Sequence, residues 1–272
     1  MTIMINYDEV SQKYKNMNIE VPTKDMIKTP EQIEGIRQAG IINNMVLDEV
    51  SKHIHQGMST QDIDDIVYKK TIELGGIPAP LNYEGFPKSC CTSINDAVCH
   101  GIPSDKDILQ NGDIINVDCT TIYKGYYADA SRTFCIGNCS EETKRFVKVC
   151  KESLDLAVKN LKPYSRLRDI GYYIESYVKK HGYTVVHEIG GHGVGVGFHE
   201  DPFIYHYGRK NTGMVLFPGM VFTIEPMINE FSREVFLDAD NEWTIYTMDG
   251  GLSCQFEYTV LLTETGVEIL SK

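Results

Sequence analysis

Two strand-like runs, residues 114–123 (IINVDCTTIY) and 126–134 (YYADASRTF), flank Lys124-Gly125 and constrain this chain more than any other feature. Apolar and polar residues alternate on both sides of a two-residue turn, the pattern of a β-hairpin. With Lys124-Gly125 as the turn, Asp129 falls opposite Thr120. Asp118, two residues along, projects from the same face and lies diagonal to Asp129. Diagonal neighbours are about 7–8 Å apart at Cα, so both carboxylates can reach one ion. That face reads Asn116, Asp118, Thr120 on one strand and Asp129, Ser131, Thr133 on the other, whereas Ile115, Val117 and Cys119 face a core. A three-residue turn would put the two aspartates on opposite faces, so the inference depends on register. Taken alone, the hairpin also reads as a solvated polar face.

Later segments change that balance. Glu225 lies in FTIEP, where Pro226 biases it towards an extended backbone, and Glu257 lies in QFEYTVLL. Both runs are too apolar for an unpaired charge, and two such glutamates are harder to explain structurally than one. Between hairpin and strands, HEIGGHGVGVGFH places His192 and His199 among glycines that allow close backbone approach. Other motifs fail: His187-Glu188 is followed by Gly191 where HExxH needs histidine, the glycines do not spell GxGxxG, and no GxSxG elbow occurs. Cys135 and Cys139 lack a second ligand pair, and the other six cysteines read as small apolar fillers. The remaining ligand set is Asp118, Asp129, His192, Glu225 and Glu257. Four negative carboxylates balance two divalent cations, which together can activate water and polarise a carbonyl. Mixed oxygen and nitrogen donors without thiolate suit Mn, Fe, Co or Zn.

Around this set the chain reads as α+β. Residues 1–26 are polar and weakly patterned, an N-terminal arm before a domain over 27–272. Thr29-Pro30-Glu31-Gln32 carries a cap, a first-position proline and a capping-box glutamine, with Ile33, Ile36, Ile41, Met45, Leu47 and Val50 as the apolar face of a helix reaching Gly57. A second helix runs from Ser59 or Thr60 to Gly75-Gly76. Ser140 caps a third ending near Leu161, and Ser165 starts a fourth ending at His181-Gly182. Strands are predicted at 183–187, 220–228 and 255–262. The order helix, helix, strand pair thus occurs twice, in one domain or in two intimately packed halves. The net charge of −12 over 272 residues argues against phosphate-backbone binding, so no nucleic-acid partner is expected. No apolar run is long enough to span a membrane, the charged start does not suit a signal peptide, and eight cysteines are not a disulfide scaffold, so a reduced, cytoplasmic protein is expected.

The motifs KTPEQIEGIRQAG, NYEGFPKSCCTSINDAVCHGIP, NGDIINVDCT, GYYADASRTF, GGHGVGVGFHEDP, PGMVFTIEPM and LSCQFEYTVLLTETGVEIL follow one another over about residues 27–270. In this order and spacing the chain closely resembles the type I methionine aminopeptidases, metallopeptidases of the pita-bread fold. The resemblance implies a pseudo-twofold antiparallel sheet covered by two helix pairs. It implies that Asp129 and Glu257 bridge two metals, with Asp118 completing one shell and His192 and Glu225 the other. His100 and His199 would be non-ligand histidines beside the scissile amide, Glu225 would also move a proton, and Tyr83, Phe86, Cys91, Phe198 and Trp243 would line the methionine pocket. The implied activity is removal of N-terminal methionine from nascent polypeptides when the next residue is small. The expected protein is a monomer whose substrates bring it near the ribosome, with the arm covering the domain's surface. Tyr258 stands where many relatives have histidine, and strand alternation should point it away from the metals. The arm lacks the Cys/His extension of eukaryotic type I enzymes, and the His199–Glu225 interval is too short for the type II insertion. Rival readings are an Xaa-Pro aminopeptidase or prolidase-like hydrolase, which usually carries a further N-terminal domain, and a non-catalytic pita-bread peptide-binding module, which typically loses ligands.

Overall fold

In the computed structural model, which describes residues 6–272, the predicted cap opens the first long helix as the sequence requires. Thr29 Oγ1 accepts from the Gln32 N–H at 3.2 Å and Gln32 Oε1 accepts from the Thr29 N–H at 2.8 Å, with Pro30 first in the helix Pro30–His53. Ser59 and Asp62 cap Thr60–Glu73 in the same reciprocal way. Ser140 caps Glu141–Asn160. The next helix, Leu167–Lys180, begins later than the predicted Ser165. There the Asp169 carboxylate accepts from the Arg166 N–H at 3.0 Å, while the Ser165 hydroxyl serves the preceding turn by accepting from the Lys162 N–H.

A further helix, Tyr7–Asn16, lies within the segment read as weakly patterned. It is held by aromatic contacts: Tyr7 and Tyr14 pack on Phe217 with ring centroids 6.1 and 6.0 Å apart, and the Tyr7 hydroxyl donates to the Pro22 carbonyl at 2.7 Å. Residues 1–5 of the arm lie outside the described residues. In chain order the helices are α1 (Tyr7–Asn16), α2 (Pro30–His53), α3 (Thr60–Glu73), α4 (Glu141–Asn160) and α5 (Leu167–Lys180).

The main sheet has nine antiparallel strands: β1 (Ile77–Pro78), β2 (Cys91–Ile94), β3 (Ile114–Tyr123), β4 (Tyr126–Cys135), β5 (Gly191–Gly193), β6 (Glu200–Ile204), β7 (Val221–Ile224), β8 (Glu257–Leu262) and β9 (Val267–Ser271). Their order is β1-β3-β4-β8-β7-β5-β6, with β2 also on β3 and β9 also on β8. The β3–β4 hairpin turns at Lys124-Gly125, and Thr120 pairs with Asp129 in the predicted register. One face of the sheet is apolar in two patches. Ile115, Val117 and Cys119 pack with Val46, Leu47, Val50, Ile63 and Val67 of α2 and α3. Phe222, Ile224, Tyr258, Val260 and Leu262 pack with Phe146, Leu154, Ile170, Ile174 and Val178 of α4 and α5. Each helix pair therefore covers its own half of the sheet, the pita-bread arrangement, and the polar face is left for the site.

Two local expectations change. Ile41 and Met45 of α2 are exposed (54% and 42%), because the buried stripe runs through Ile36, Gly40, Asn43, Leu47 and Val50 at alternating steps of three and four. The strand predicted over 220–228 breaks at Glu225-Pro226 into β7 and a short strand, Met227–Asn229, of a separate sheet with Ser253–Gln255 and Thr184–Val185. The strand over 255–262 breaks likewise at Phe256. Pro226 has no N–H to continue the ladder, so at the first of these breaks the chain changes sheets.

Gly40 sets how closely α2 approaches β9, since a Cβ on it would lie 2.1 Å from the Leu270 carbonyl oxygen. At an exposed helical site Gly→Ala stabilises by about 1 kcal/mol. Here Gly40→Ala is expected to destabilise by about 1–3 kcal/mol, the cost of overpacking. Urea denaturation measures the sign, and unchanged or raised stability would contradict this packing.

Candidate metal centre

The register of β3, β4, β8 and β7 writes two adjacent cross-strand rows on the polar face. Asp118 and Glu257 both pair with Ser131, and Glu225 follows Ile224, the partner of Tyr258. The neighbouring row runs Thr120, Asp129, Thr259, Thr223: Thr120 pairs with Asp129, Thr259 with Thr223. Thr259 joins Asp129 through its side chain, accepting from the Asp129 N–H at 3.0 Å and donating to the Asp129 carbonyl at 2.8 Å. Short side chains between the acids leave room for four carboxylates to converge. The two glutamates sit where their strands leave the main sheet.

His192 arrives from β5, which lies beside β7. A Cβ on Gly191 would stand 2.6 Å from the Thr223 carbonyl oxygen, so glycine is what permits that approach. The His192 N–H donates to Thr223 Oγ1 at 2.9 Å, and the Thr223 hydroxyl donates to Glu225 Oε1 at 2.6 Å. Gln255 Nε2 donates to the other Glu225 oxygen at 3.2 Å, and the Glu225 N–H donates to His206 Nε2 at 3.1 Å. His192 Nδ1 lies 2.9 Å from the Gly193 carbonyl, which can only accept, so Nδ1 carries the proton in the neutral ring. The Nε2 lone pair then faces the acids, 3.6 Å from Glu225 and 3.8 Å from Asp129. Donor atoms of Asp129, His192 and Glu257 all lie within 4.8 Å of one another.

Burial dominates the electrostatics. It pushes Asp118 up to about 7, helped by the Glu225 charge, and Glu225 up to about 8. Asp129 and Glu257 are driven well above the ordinary carboxylate range by burial and then by their acidic neighbours. Burial also lowers His192 to about 4, so the ring is neutral near pH 7. Among the described residues no lysine or arginine lies within 4 Å of these acids, and the only basic group that close is His192. Buried anions without cationic side chains, beside an imidazole lone pair, form a donor set suited to divalent metal.

All the residues singled out from the sequence line one cavity of about 270 Å³. The five candidate ligands form its floor. Tyr83, Phe86, Cys91, Phe198 and Trp243 supply an apolar wall, with Tyr83 edge-on to Phe198 at 4.8 Å and Phe86 to Trp243 at 5.2 Å. Cys91 pairs directly with Asp118 across β2 and β3. His199 stacks on Phe198 at 4.2 Å and its Nδ1 lies 2.9 Å from the Tyr83 hydroxyl. Burial brings His100 down to about 4 and also lowers His199. Tyr258 points away from the cavity, as alternation requires, and its hydroxyl donates to Asp155 at 2.9 Å. The supporting Thr223, Gln255, Thr259 and His206 were not singled out from the sequence, since hydroxyls and amides in strands have no distinctive spacing. Glu84, Ile189 and Gly190, in a turn and a loop without periodic pattern, were also missed in the lining.

An antiparallel sheet with helix pairs on one face and a buried acid–imidazole cluster on the other is the architecture of a metallopeptidase, and the chain belongs to metallopeptidase family M24, whose model matches residues 34–264. Its relatives include methionine aminopeptidase A of Synechocystis, 49% identical over 88% of this chain and 94% of that one. The crystal structure of methionine aminopeptidase from Rickettsia prowazekii superposes with a TM-score of 0.89 at 42% identity, covering 90% of this chain and 99% of that one. An X-Pro aminopeptidase from Thermotoga maritima is more distant, with a TM-score of 0.71 and 27% identity over 97% of this chain and 64% of that one.

Two expectations follow. An acid whose folded pKa is raised favours the native state below its unfolded pKa and loses that contribution as pH rises to the folded value. In chelator-treated protein the contribution of Asp118 and Glu225 is therefore lost between about pH 4 and their folded values of about 7 and about 8. Added Mn²⁺ should raise the melting temperature more at pH 8.5 than at pH 5.5, as scanning calorimetry would show; an equal shift at both would disagree. Thr223→Val removes the hydroxyl that serves both Glu225 and His192, and should weaken Mn²⁺ binding about 10–100-fold in a competition titration.

Proposed function

We propose that this protein removes the N-terminal methionine from polypeptides whose second residue is small, in a reaction that needs two divalent ions of the Mn, Fe, Co or Zn class. The supporting observation is the adjoining of two environments in one cavity: a sulfur- and aromatic-lined wall beside an anionic floor. Thioethers gain favourable contacts with aromatic edges, and Met is flexible enough to fill such a wall. Five donors match the proposed pair of ions: Asp129 and Glu257 would be shared between them, Asp118 would complete one shell, and His192 and Glu225 the other. When bound, the ions supply Lewis acidity, which makes water nucleophilic near neutral pH and polarises a carbonyl.

The chain's own groups do the rest. Tyr83, Phe86, Cys91, Phe198 and Trp243 hold the methionine side chain, and the buried carboxylates attract the free α-amine, which makes the enzyme an exopeptidase. His199 and His100 stand beside the scissile amide. With the Tyr83 hydroxyl donating to Nδ1, His199 keeps its proton on Nε2, ready to donate to the developing oxyanion. Glu225, oriented by Thr223 and Gln255, carries a proton from water to the leaving amine. The catalytic domain spans 27–272, preceded by an arm over 1–26 whose described residues, 6–26, cover part of its surface. No helix among the described residues is long and apolar enough to cross a membrane. Acting on nascent chains, the enzyme would work in the cytoplasm near the ribosome, and the proposed form is a monomer. The Xaa-Pro reading is less favoured, because the chain is less similar to the X-Pro aminopeptidase (27% identity, TM-score 0.71) than to the Rickettsia methionine aminopeptidase (42%, 0.89).

Free methionine should be released from Met-Ala-Ser, much more slowly from Met-Leu-Ser, and not at all after chelation. Faster cleavage of an Xaa-Pro peptide would favour the rival. Asp129→Asn should abolish both metal uptake and turnover. His199→Ala should lower kcat by about 10²-fold or more, the usual cost of a lost oxyanion donor, with metal content retained.

A further inference from the structure

The wall of the cavity contains one charged group that the proposed reaction does not use. Glu84 belongs to a tight turn in which the Asn82 N–H donates to the Phe86 carbonyl and the Phe86 N–H to the Tyr83 carbonyl, both at 2.8 Å. Its backbone is left-handed, φ 49° and ψ 22°, with Asn82 at φ 67° and Gly85 at φ 94° beside it. Asparagine and glycine take that conformation readily, whereas glutamate is held there only by its surroundings, and such residues concentrate at functional sites. The side chain is exposed and lines the cavity, and among the described residues its carboxylate has no hydrogen-bond or salt-bridge partner. Its charge adds to the burial that raises the Tyr83 hydroxyl and opposes the burial that lowers His199. Among the described residues no lysine or arginine lines this cavity.

We propose that Glu84 is a specificity-determining residue that favours polypeptides with Lys or Arg at the third or fourth position and disfavours those with Asp or Glu there. The inference rests on the reaction proposed above. With the amino end at the buried acids and the scissile bond at His199, the rest of the substrate must leave through the exposed end of the cavity, past Tyr83. An extended chain advances about 3.3 Å per residue, so the side chains one or two residues beyond the small second residue pass the turn. A cation there meets an uncompensated carboxylate, and an anion is repelled by it. The site is solvent-exposed, so the effect is modest and weakens with salt.

The test compares kcat/KM for Met-Ala-Lys-Gly-Ser and Met-Ala-Glu-Gly-Ser with the metal-loaded enzyme. The ratio is taken within one preparation, so any loss of folded enzyme cancels. In the unsubstituted enzyme the Lys/Glu ratio should be about 3–10 at low ionic strength, the scale of an exposed charge pair. It should approach one in 0.5 M salt and in Glu84→Gln, and fall below one in Glu84→Lys. That inversion is something a purely structural role for the turn would not produce. A ratio near one in the unsubstituted enzyme, or one unmoved by Glu84→Lys, overturns the proposal while leaving methionine release intact. Failure to release methionine from the neutral Met-Ala-Ser-Gly-Ser would instead overturn the reaction itself, and the Glu84 assignment with it.

Discussion

Four carboxylates forced into one water-poor space are the constraint to which the rest of this structure answers. Each ionised acid would cost several kcal/mol to bury without compensation, so the fold must supply partners or a cation. It supplies few partners: the Thr120 hydroxyl for Asp129, and Thr223 and Gln255 for Glu225. The neutral His192 completes the set with a lone pair rather than a positive charge. Such a cluster is a poor choice for stability and a good one for holding metal.

Keeping the cluster in register falls to the other face of the sheet. Alternation along β3, β7 and β8 sends Ile115, Val117, Phe222, Ile224, Tyr258 and Val260 into the two helix-covered cores. A one-residue slip in any of these strands would bury acids in the core and turn the apolar rows towards the cavity. The large hydrophobic penalty of that slip is what fixes the small distances between donors. The breaks at Glu225-Pro226 and Phe256 then free the ends of two strands to turn their glutamates into the floor. Recognition is assembled differently. Tyr83 and Phe86 come from the turn before β2, Phe198 and His199 from the β5–β6 connection, and Trp243 from the loop anchored by Asn241, whose side chain accepts from the Trp243 N–H at 2.8 Å. A sheet-built acid floor thus lies under a loop-built wall, the arrangement in which a rigid scaffold carries variable loops.

Local signals proved readable wherever the deciding forces were local. The Thr29 capping box, the Lys124-Gly125 turn and the alternation through Asp118 and Asp129 are all settled within a few residues, and each appears in the structure as read. Helix faces were less legible. Ile41 and Met45 are apolar yet exposed, because hydrophobicity alone cannot say which of two overlapping stripes meets the sheet. Helix α1 has too polar a sequence to announce itself, and its aromatic contacts with Phe217 lie far outside the window of about 11–18 residues over which periodicity is read.

What the sequence determined by itself was therefore the four long helices, the hairpin and its register and, through motifs in a family's order, the candidate donors and the candidate residues around them. Only the tertiary structure decided that Asp118, Ser131, Glu257 and Glu225 fall into one row, that His192 presents Nε2 and not Nδ1, that Thr223 serves two donors at once, and that Glu84 stands unpaired at the rim. The reason is physical: periodicity and caps are short-range properties of the backbone, whereas convergence at a site depends on sheet order and close approach between segments that are distant in the chain.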